Sequence, residues 1–248
     1  MEFAGKTALV TGSGAIGGLG HATAGVLAAG GADLILTGRD AERGAQVVAD
    51  LRAAGGGTPA AAVRFVAADL SDPAAVRRLA DDVGTVDILI NNASVMTFAP
   101  TPGQDLADYD AAFAVNVRAP FLLTALFAPR MAAGGSIVNI SSTAAGLGMP
   151  GMAVYGATKS ALESLTRTWA AEFAEAKVRV NAVVPGPMRT SKVVAAMGPD
   201  LGGMGLTTAL KRTSDPAEVA QVVAFLASDR AGYVTGATVA ADGGRTAI

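Results

Sequence analysis

Short apolar runs alternate with longer helix-patterned stretches through all 248 residues of this chain, and that alternation restricts the fold more than any single motif does. The runs are Thr7–Thr11, Asp33–Thr37, Val63–Ala67, Val86–Asn91, Ser136–Ser141, Val178–Val184 and Thr238–Ala240. Most are rich in Val, Ile and Leu and lack the in–out alternation of a half-exposed strand, so they predict strands covered on both faces. Helical patterns lie near Leu19–Ala29, Ala41–Ala54, Pro73–Val83, Gln104–Met131, Val154–Ala176 and Pro216–Ala227. Ser71-Asp72-Pro73 and Ser214-Asp215-Pro216 read as helix starts, a capping side chain followed by proline in the first turn. Such alternation predicts an α/β fold: a doubly wound, parallel, seven-stranded sheet with helices on both faces. No linker or repeat interrupts it, so residues 1–248 read as one domain, and the Gly-rich Ala53–Ala62 reads as a helix-to-strand loop.

A sheet of this kind binds ligands beyond the carboxyl ends of its strands. The first strand runs into Thr11-Gly12-Ser13-Gly14-Ala15-Ile16-Gly17-Gly18-Leu19-Gly20, and a helix follows. Glycines there let backbone approach a pyrophosphate, and the helix N-terminus offers free N–H groups and the positive dipole end. A tight turn would explain a lone glycine loop equally well, but the position between first strand and first helix favours a dinucleotide site of the Rossmann type. At the tip of the second strand an acidic residue would favour NAD. Here the tip is Gly38 followed by Arg39, which leaves room for a 2′-phosphate and a guanidinium to pair with it. This favours NADP over NAD; the plain alternative is a solvated loop arginine, with Asp40 capping the next helix.

Tyr155 and Lys159 stand four residues apart on one helical pattern, close enough for the ammonium to influence the phenol. A free phenol, with a pKa of about 10, is a poor proton-transfer group at neutral pH, and a neighbouring cation lowers that value. The chain has no cysteine, which excludes disulfides and thiolate catalysis, and its one histidine, His21, leaves no multi-histidine metal site. His21 reads as a first-turn helix residue. With 19 Lys+Arg against 21 Asp+Glu and a net charge of −2, no surface for nucleic acid is indicated. The N-terminus runs straight into a strand, without the basic and apolar regions of a secretory signal, and Phe121–Ala128, the longest candidate span, falls short of the about 20 residues a membrane needs. The expectation is a cytoplasmic protein that does not engage a membrane.

With these motifs in order, the chain resembles the short-chain dehydrogenase/reductase family over nearly its whole length, in the branch with a Tyr-x-x-x-Lys pair. The glycine loop matches Thr11 to Gly20, the adenine-contacting acid Asp69, and the Asn-Asn-Ala-Gly motif Asn91-Asn92-Ala93-Ser94. The family's helix asparagine matches Asn116 and its catalytic serine Ser142, thirteen residues before Tyr155, with Ser141 one residue away as the alternative. The Pro-Gly motif is Pro185-Gly186-Pro187-Met188-Arg189-Thr190, and Gly236 to Gly244 carries the C-terminal signature. Two departures stand out. Five residues separate Gly12 from Gly18, where the family's usual loop has three; this resembles the enoyl-reductase branch and leaves open which of Gly14, Ile16 and Gly17 meet phosphate. That branch, however, puts six residues between its tyrosine and lysine, and this chain has three. The second departure is Ser94 in place of a glycine.

The resemblance implies an oxidoreductase that moves hydride between NADP(H), or NAD(H), and a carbonyl or secondary alcohol. It makes Tyr155 the general acid/base, Lys159 its pKa-lowering partner, Ser142 the holder of the substrate oxygen, and Asn116 the anchor of a relay water. It places the cofactor against Gly12, Gly14, Gly18, Leu19, Arg39, Asp69, Leu70, Asn92, Ala93, Tyr155, Lys159, Pro185, Gly186, Met188 and Thr190, with no metal. Ser191–Arg212, rich in Gly and Met, reads as an apolar lid, and with Val95, Met96, Leu147, Met149 and Met152 it suggests a hydrophobic pocket. The resemblance also implies a homotetramer, or a homodimer, through the C-terminal strand and two long helices carrying Phe113, Phe121, Phe127, Leu165, Trp169 and Phe173. Competing readings are a non-catalytic nucleotide sensor and an enoyl (C=C) reductase. The substrate is left open among 3-oxoacyl thioesters, steroids, cyclic ketones and sugars.

Overall fold

The computed structural model describes residues 1–54 and 62–248, so most of the loop expected at Ala53–Ala62 lies outside the described residues. Seven parallel strands form one sheet: β1 (Thr7–Thr11), β2 (Asp33–Gly38), β3 (Val63–Ala67), β4 (Ile88–Asn91), β5 (Ser136–Ile140), β6 (Arg179–Pro185) and β7 (Thr238–Ala241). Their spatial order is β3-β2-β1-β4-β5-β6-β7. β1 therefore pairs with β2 on one side, Thr11 opposite Thr37, and with β4 on the other, Val10 opposite Ile90. The order of winding reverses between β1 and β4, which opens a crevice above their carboxyl ends.

The unbroken apolar runs have a direct explanation. Ala8, Val10, Leu34, Leu36, Ile88, Ile90, Val138 and Ile140 point to one face of the sheet. They pack there with α1 (Leu19–Ala29), α2 (Ala41–Ala54) and α8 (Pro216–Ala227). Their neighbours Leu9, Ile35, Leu89 and Ile137 point to the other face. Those pack with α3 (Pro73–Val83), α5 (Ala119–Phe127) and α6 (Ala153–Glu172). Each such side chain contributes about 1.5–3 kcal/mol on full burial, so both faces of every central strand must be apolar. The two capped starts form as expected. Asp72 accepts from the Ala74 and Ala75 amides, and Asp215 forms a capping box with Glu218.

The largest difference from expectation is in Gln104–Met131. It divides into α4 (Leu106–Phe113, capped by Asp105), a π-helical stretch at Ala114–Arg118, and α5. The whole course Leu106–Arg130, 25 residues containing an 18-residue window with a mean hydropathy of 1.6, is long and apolar enough by length and composition to cross a membrane, which Phe121–Ala128 alone is not. Here Ala119, Leu123 and Phe127 bury that apolar character against the sheet. Strand β4 begins at Ile88, and just before it the Asp87 carboxylate accepts from the Thr7 amide at 2.8 Å. Helix α6 stops at Glu172, four residues short of expectation, where the Val178 amide returns to the Phe173 carbonyl and Lys177 takes a left-handed φ of 57°. The segment expected to form a lid contains a short helix, α7 (Ser191–Met197), and a 3-10 stretch at Leu201–Thr207 with left-handed Gly202 and Gly203.

Candidate active site

The crevice is closed at its floor by side-chain bonds between β1 and β4. Thr11 Oγ1 accepts from the Asn92 and Ala93 amides at 3.0 Å each, and Asn92 Nδ2 donates to the Thr11 and Gly12 carbonyls at 2.8 and 3.1 Å. Gly12 has φ 66°, and a Cβ there would lie 2.6 Å from Ala93 Cα. A Cβ at Gly20 would lie 2.7 Å from Asn92 Nδ2, so α1 starts hard against this floor. The first-turn amides of α1, beginning at Leu19 and Gly20, thus face the crevice without intrahelical acceptors.

The β2 end lies to one side. The Phe65 ring sits under it: a Cβ at Gly38 would be 3.4 Å from the ring and one at Gly14 3.6 Å. Sequence reasoning missed Phe65; the available signal was an aromatic in β3, registered against Leu36. Asp69 accepts from the Ser71 amide at 2.9 Å and the Ser71 hydroxyl at 2.8 Å. Those bonds, with a smaller contribution from the nearby Arg39 guanidinium, hold its carboxyl below the usual range. Leu70 beside it is buried.

The opposite side is built on β5 and α6. Ser142 lies two residues beyond β5 in extended backbone, and its Oγ accepts from the Ala144 amide at 3.2 Å. Ser141 is directed elsewhere, donating to Glu163 at 2.5 Å, so Ser142 is the serine beside the tyrosine. Burial pushes the Tyr155 phenol above its ordinary value of 10.0, while the hydroxyls of Ser142 and then Ser94 pull it back in part. Lys159 is fully buried, and burial lowers its pKa to about 8. Its Nζ donates to the Ile140 carbonyl at 2.8 Å and lies 5.6 Å from the centroid of the Tyr155 ring. The expected lowering of the phenol by this lysine is therefore not the outcome in this structure, because desolvation dominates. Ser94, in the sequence only a departure from a motif, stands at the phenol.

Asn116 lies in the π-helical stretch and is buried. Its Oδ1 accepts from the Val95 amide at 2.8 Å, and its Nδ2 donates to the Val95 carbonyl at 2.8 Å and to Thr158 Oγ1 at 3.0 Å. Thr158 in turn donates to the Tyr155 carbonyl at 2.7 Å. Asn116 thus ties the loop carrying Ser94 to the helix carrying Tyr155 and Lys159.

After β6, the turn at Pro185-Gly186 is pressed against the C-terminal segment: a Cβ at Gly186 would be 2.7 Å from Asp242 Cα. Met188 bridges to Ser214, and Thr190 caps α7, accepting from the Val193 amide at 3.3 Å while keeping its own hydroxyl proton. Gly17, Gly18 and Ile16 are spread around the loop tip. The Gly18 amide is bonded to Ala15 and the Gly17 carbonyl accepts from Ser191, so the loop amides left toward the crevice lie nearer Gly14 and the start of α1. His21 bonds Asp50 at 2.7 Å, away from Tyr155. Among the described residues no cluster of His, Cys, Asp or Glu could hold a metal ion.

A protein-family model described as enoyl-(acyl carrier protein) reductase matches residues 14–246. The chain is 35% identical to a 3-oxoacyl-[acyl-carrier-protein] reductase of Thermotoga maritima, over 98% of this chain and 99% of that protein. A solved short chain dehydrogenase/reductase family protein is 48% identical over the full length of both chains, with a TM-score of 0.90. A short chain dehydrogenase from Burkholderia cenocepacia, solved in complex with NADP, is 34% identical over 99% of this chain and 100% of its own, with a TM-score of 0.91. With a sheet reversing over a glycine loop, and a serine, tyrosine and lysine gathered at its edge, the chain belongs to the short-chain dehydrogenase/reductase family of NAD(P)-dependent oxidoreductases.

Proposed function

We propose that this chain, as one domain with a lid near residues 190–212, interconverts a ketone and a secondary alcohol on a small apolar substrate, with NADP(H) preferred to NAD(H). The observation that carries this reading is the meeting of Ser142 and Tyr155 one helical turn from the buried Lys159. The crevice suits a dinucleotide: backbone at Gly12 and Gly20 approaches where any Cβ would collide, and the α1 amides face the same space. Gly12, Gly14, Gly18 and Leu19 would hold the pyrophosphate, and Asp69, Leu70, Asn92 and Ala93 the adenosine side. Arg39 would hold a 2′-phosphate, and Lys159, Pro185, Gly186, Met188 and Thr190 the nicotinamide half. The NADP complex of the Burkholderia relative supports the cofactor choice.

The dinucleotide, when bound, supplies or accepts the hydride. Tyr155 donates its phenolic proton to the substrate oxygen in reduction and recovers it in oxidation. A pKa above 10.0 keeps that proton in place at neutral pH. Ser142 donates to the same oxygen and steadies the charge developing on it. Lys159 supplies positive charge under the phenol and a path for its re-protonation. The Asn116 side chain is spent on Val95 and Thr158, so a relay water would rest on its backbone carbonyl. Exposed Met96, Phe98, Met197 and Leu206 on the crevice and lid segments favour an apolar substrate. The reading extends to a cytoplasmic homotetramer, or homodimer, joined through α5 and α6, where Phe121 remains half-exposed beside Trp169.

A dual-cofactor screen over ketones and alcohols tests this directly. Turnover should require Tyr155 and run faster with NADPH. The five-residue glycine loop and the family model's description favour one second reading, reduction of a conjugated C=C. Product analysis on an enone, for loss of C=O against loss of C=C, separates the two.

A further inference from the structure

We propose that Ser191 is a positioning residue that latches the lid to the lengthened glycine loop, and that this latch governs how tightly the dinucleotide is held. The inference rests on the dinucleotide reading above. The Ser191 amide donates to the Gly17 carbonyl at 3.1 Å, and its hydroxyl donates to the Ile16 carbonyl at 2.8 Å. Gly17 has φ 76°, and a Cβ there would meet the Ser191 Cβ at 3.2 Å, so glycine is what permits the approach. From behind, the Gly17 amide faces His21 Nδ1 at 3.4 Å, and His21 Nε2 is bonded to Asp50 at 2.7 Å. The loop tip is therefore braced by α1 and α2 on one side and gripped by the lid on the other. Both groups of Gly17 are engaged in this brace, and Ile16 and Gly17 are residues of the interval that exceeds the family's usual spacing.

The lid has separate fixings elsewhere. At its base the Arg189 amide donates to the Ser214 carbonyl and the Ser214 amide to the Pro187 carbonyl, both at 2.9 Å. Farther along, the Leu210 amide donates to the Gly243 carbonyl at 3.0 Å. Ser191 adds a tie across the crevice mouth, from the turn carrying Thr190 to the loop leading into α1. A dinucleotide running from the α1 amides to the Pro185–Thr190 turn passes this tie, so its release requires the tie to part.

The test uses the full chain with Ser191→Ala, Ser191→Thr and Gly17→Ala. Trypsin cleavage after the exposed Lys192, followed in cofactor-free protein, reads the latch without any cofactor. NADPH release followed by stopped-flow fluorescence reads its consequence. Loss of one hydrogen bond predicts about three- to tenfold faster cleavage and release in Ser191→Ala. KM for NADPH should rise with kcat not reduced, and Ser191→Thr should restore wild-type values. Gly17→Ala should give the same pattern from the other side, and the double variant should add little to either single one. Wild-type cleavage in Ser191→Ala overturns the latch. Faster cleavage with unchanged release overturns its role in holding the dinucleotide. A wild-type protein that binds neither NADPH nor NADH defeats the dinucleotide reading instead, and the cleavage comparison still decides the latch.

Discussion

The Lys159 ammonium stands 5.6 Å from the centroid of the Tyr155 ring, yet its hydrogen bond goes to the Ile140 carbonyl, not to the phenol. The two residues share a helix face, but each is governed chiefly by its own desolvation, which raises the tyrosine and lowers the lysine. A phenol held above 10.0 is a competent proton donor at neutral pH and a poor acceptor, so the oxidation direction should improve as pH rises. Tyr155→Phe removes the donor without disturbing the packing around the ring. Turnover should fall by about 10²- to 10⁴-fold, with the circular dichroism spectrum and Tm near those of the wild type.

The buried lysine makes a stability prediction with a definite sign. Its pKa falls from 10.5 to about 8 on folding, so between those values the unfolded chain binds the proton that the folded chain has released. Stability therefore rises with pH across that window, and below about 8 the full penalty of a buried charge is present, about 3 kcal/mol. Lys159→Met removes this linkage. Urea unfolding from pH 7 to 9, below the titration of the phenol in either state, should show wild-type stability climbing relative to the variant. Parallel pH profiles would contradict the assignment. The variant should also lose most turnover.

The sheet was legible because its central strands must be apolar on both faces, and five of the six helical patterns, two of them with Asp-Pro starts, correspond to single helices. The site was legible where chemistry sits in local spacing, as for Tyr155 and Lys159. What escaped depends on packing between distant segments. The π-helical stretch around Asn116 leaves no period in Ala114–Arg118 to distinguish it from α-helix. Phe65 under Gly14 and Gly38, and Ser191 on Gly17, join residues remote in sequence. Ser94 could be seen to differ from a motif, but that it reaches Tyr155 follows only from the Asn116 clamp on Val95.

That clamp should be costly to break. Asn116→Ala leaves both part-buried Val95 backbone groups without their partner and takes one of its two bonds from the buried Thr158 hydroxyl, which keeps the Tyr155 carbonyl. A loss of about 2 kcal/mol or more is expected, because unsatisfied buried groups keep their full desolvation penalty. A lower Tm should be accompanied by a lower kcat, since the same side chain ties the Ser94 loop to α6. Asn116→Asp retains an acceptor for the Val95 amide but buries a charge with an oxygen facing the Val95 carbonyl in place of an N–H, so it should be no more stable than alanine in thermal unfolding.

Arg39 is the residue proposed to carry the cofactor preference. It is exposed and close enough to Asp69 to help depress that carboxyl, so it lies at the adenosine end of the crevice. Arg39→Asp replaces a cation able to pair with a 2′-phosphate by an anion that repels it and can accept from ribose hydroxyls. The ratio of kcat/KM for NADPH over NADH should fall by roughly 10- to 100-fold, about 1.4–2.7 kcal/mol. An unchanged ratio would remove Arg39 from the specificity determinants.

Ser94 and Ser142 both lower the Tyr155 pKa, Ser142 more strongly, against the larger upward pull of burial. Each hydroxyl favours the phenolate by donating to it, so removing either should drive the phenol further up. In the oxidation direction, where the phenolate is the competent base, the pH limb of kcat should move to higher pH in Ser94→Ala and further in Ser142→Ala. Ser142→Ala should also depress the plateau, because it loses its bond to the substrate oxygen, whereas Ser94→Ala should shift the limb with little change in plateau. Ser94→Gly, which restores the family's usual residue, should behave like Ser94→Ala if the hydroxyl is what matters. A limb at the wild-type pH in both Ser94 variants would mean that the serine beside the phenol is a packing residue alone.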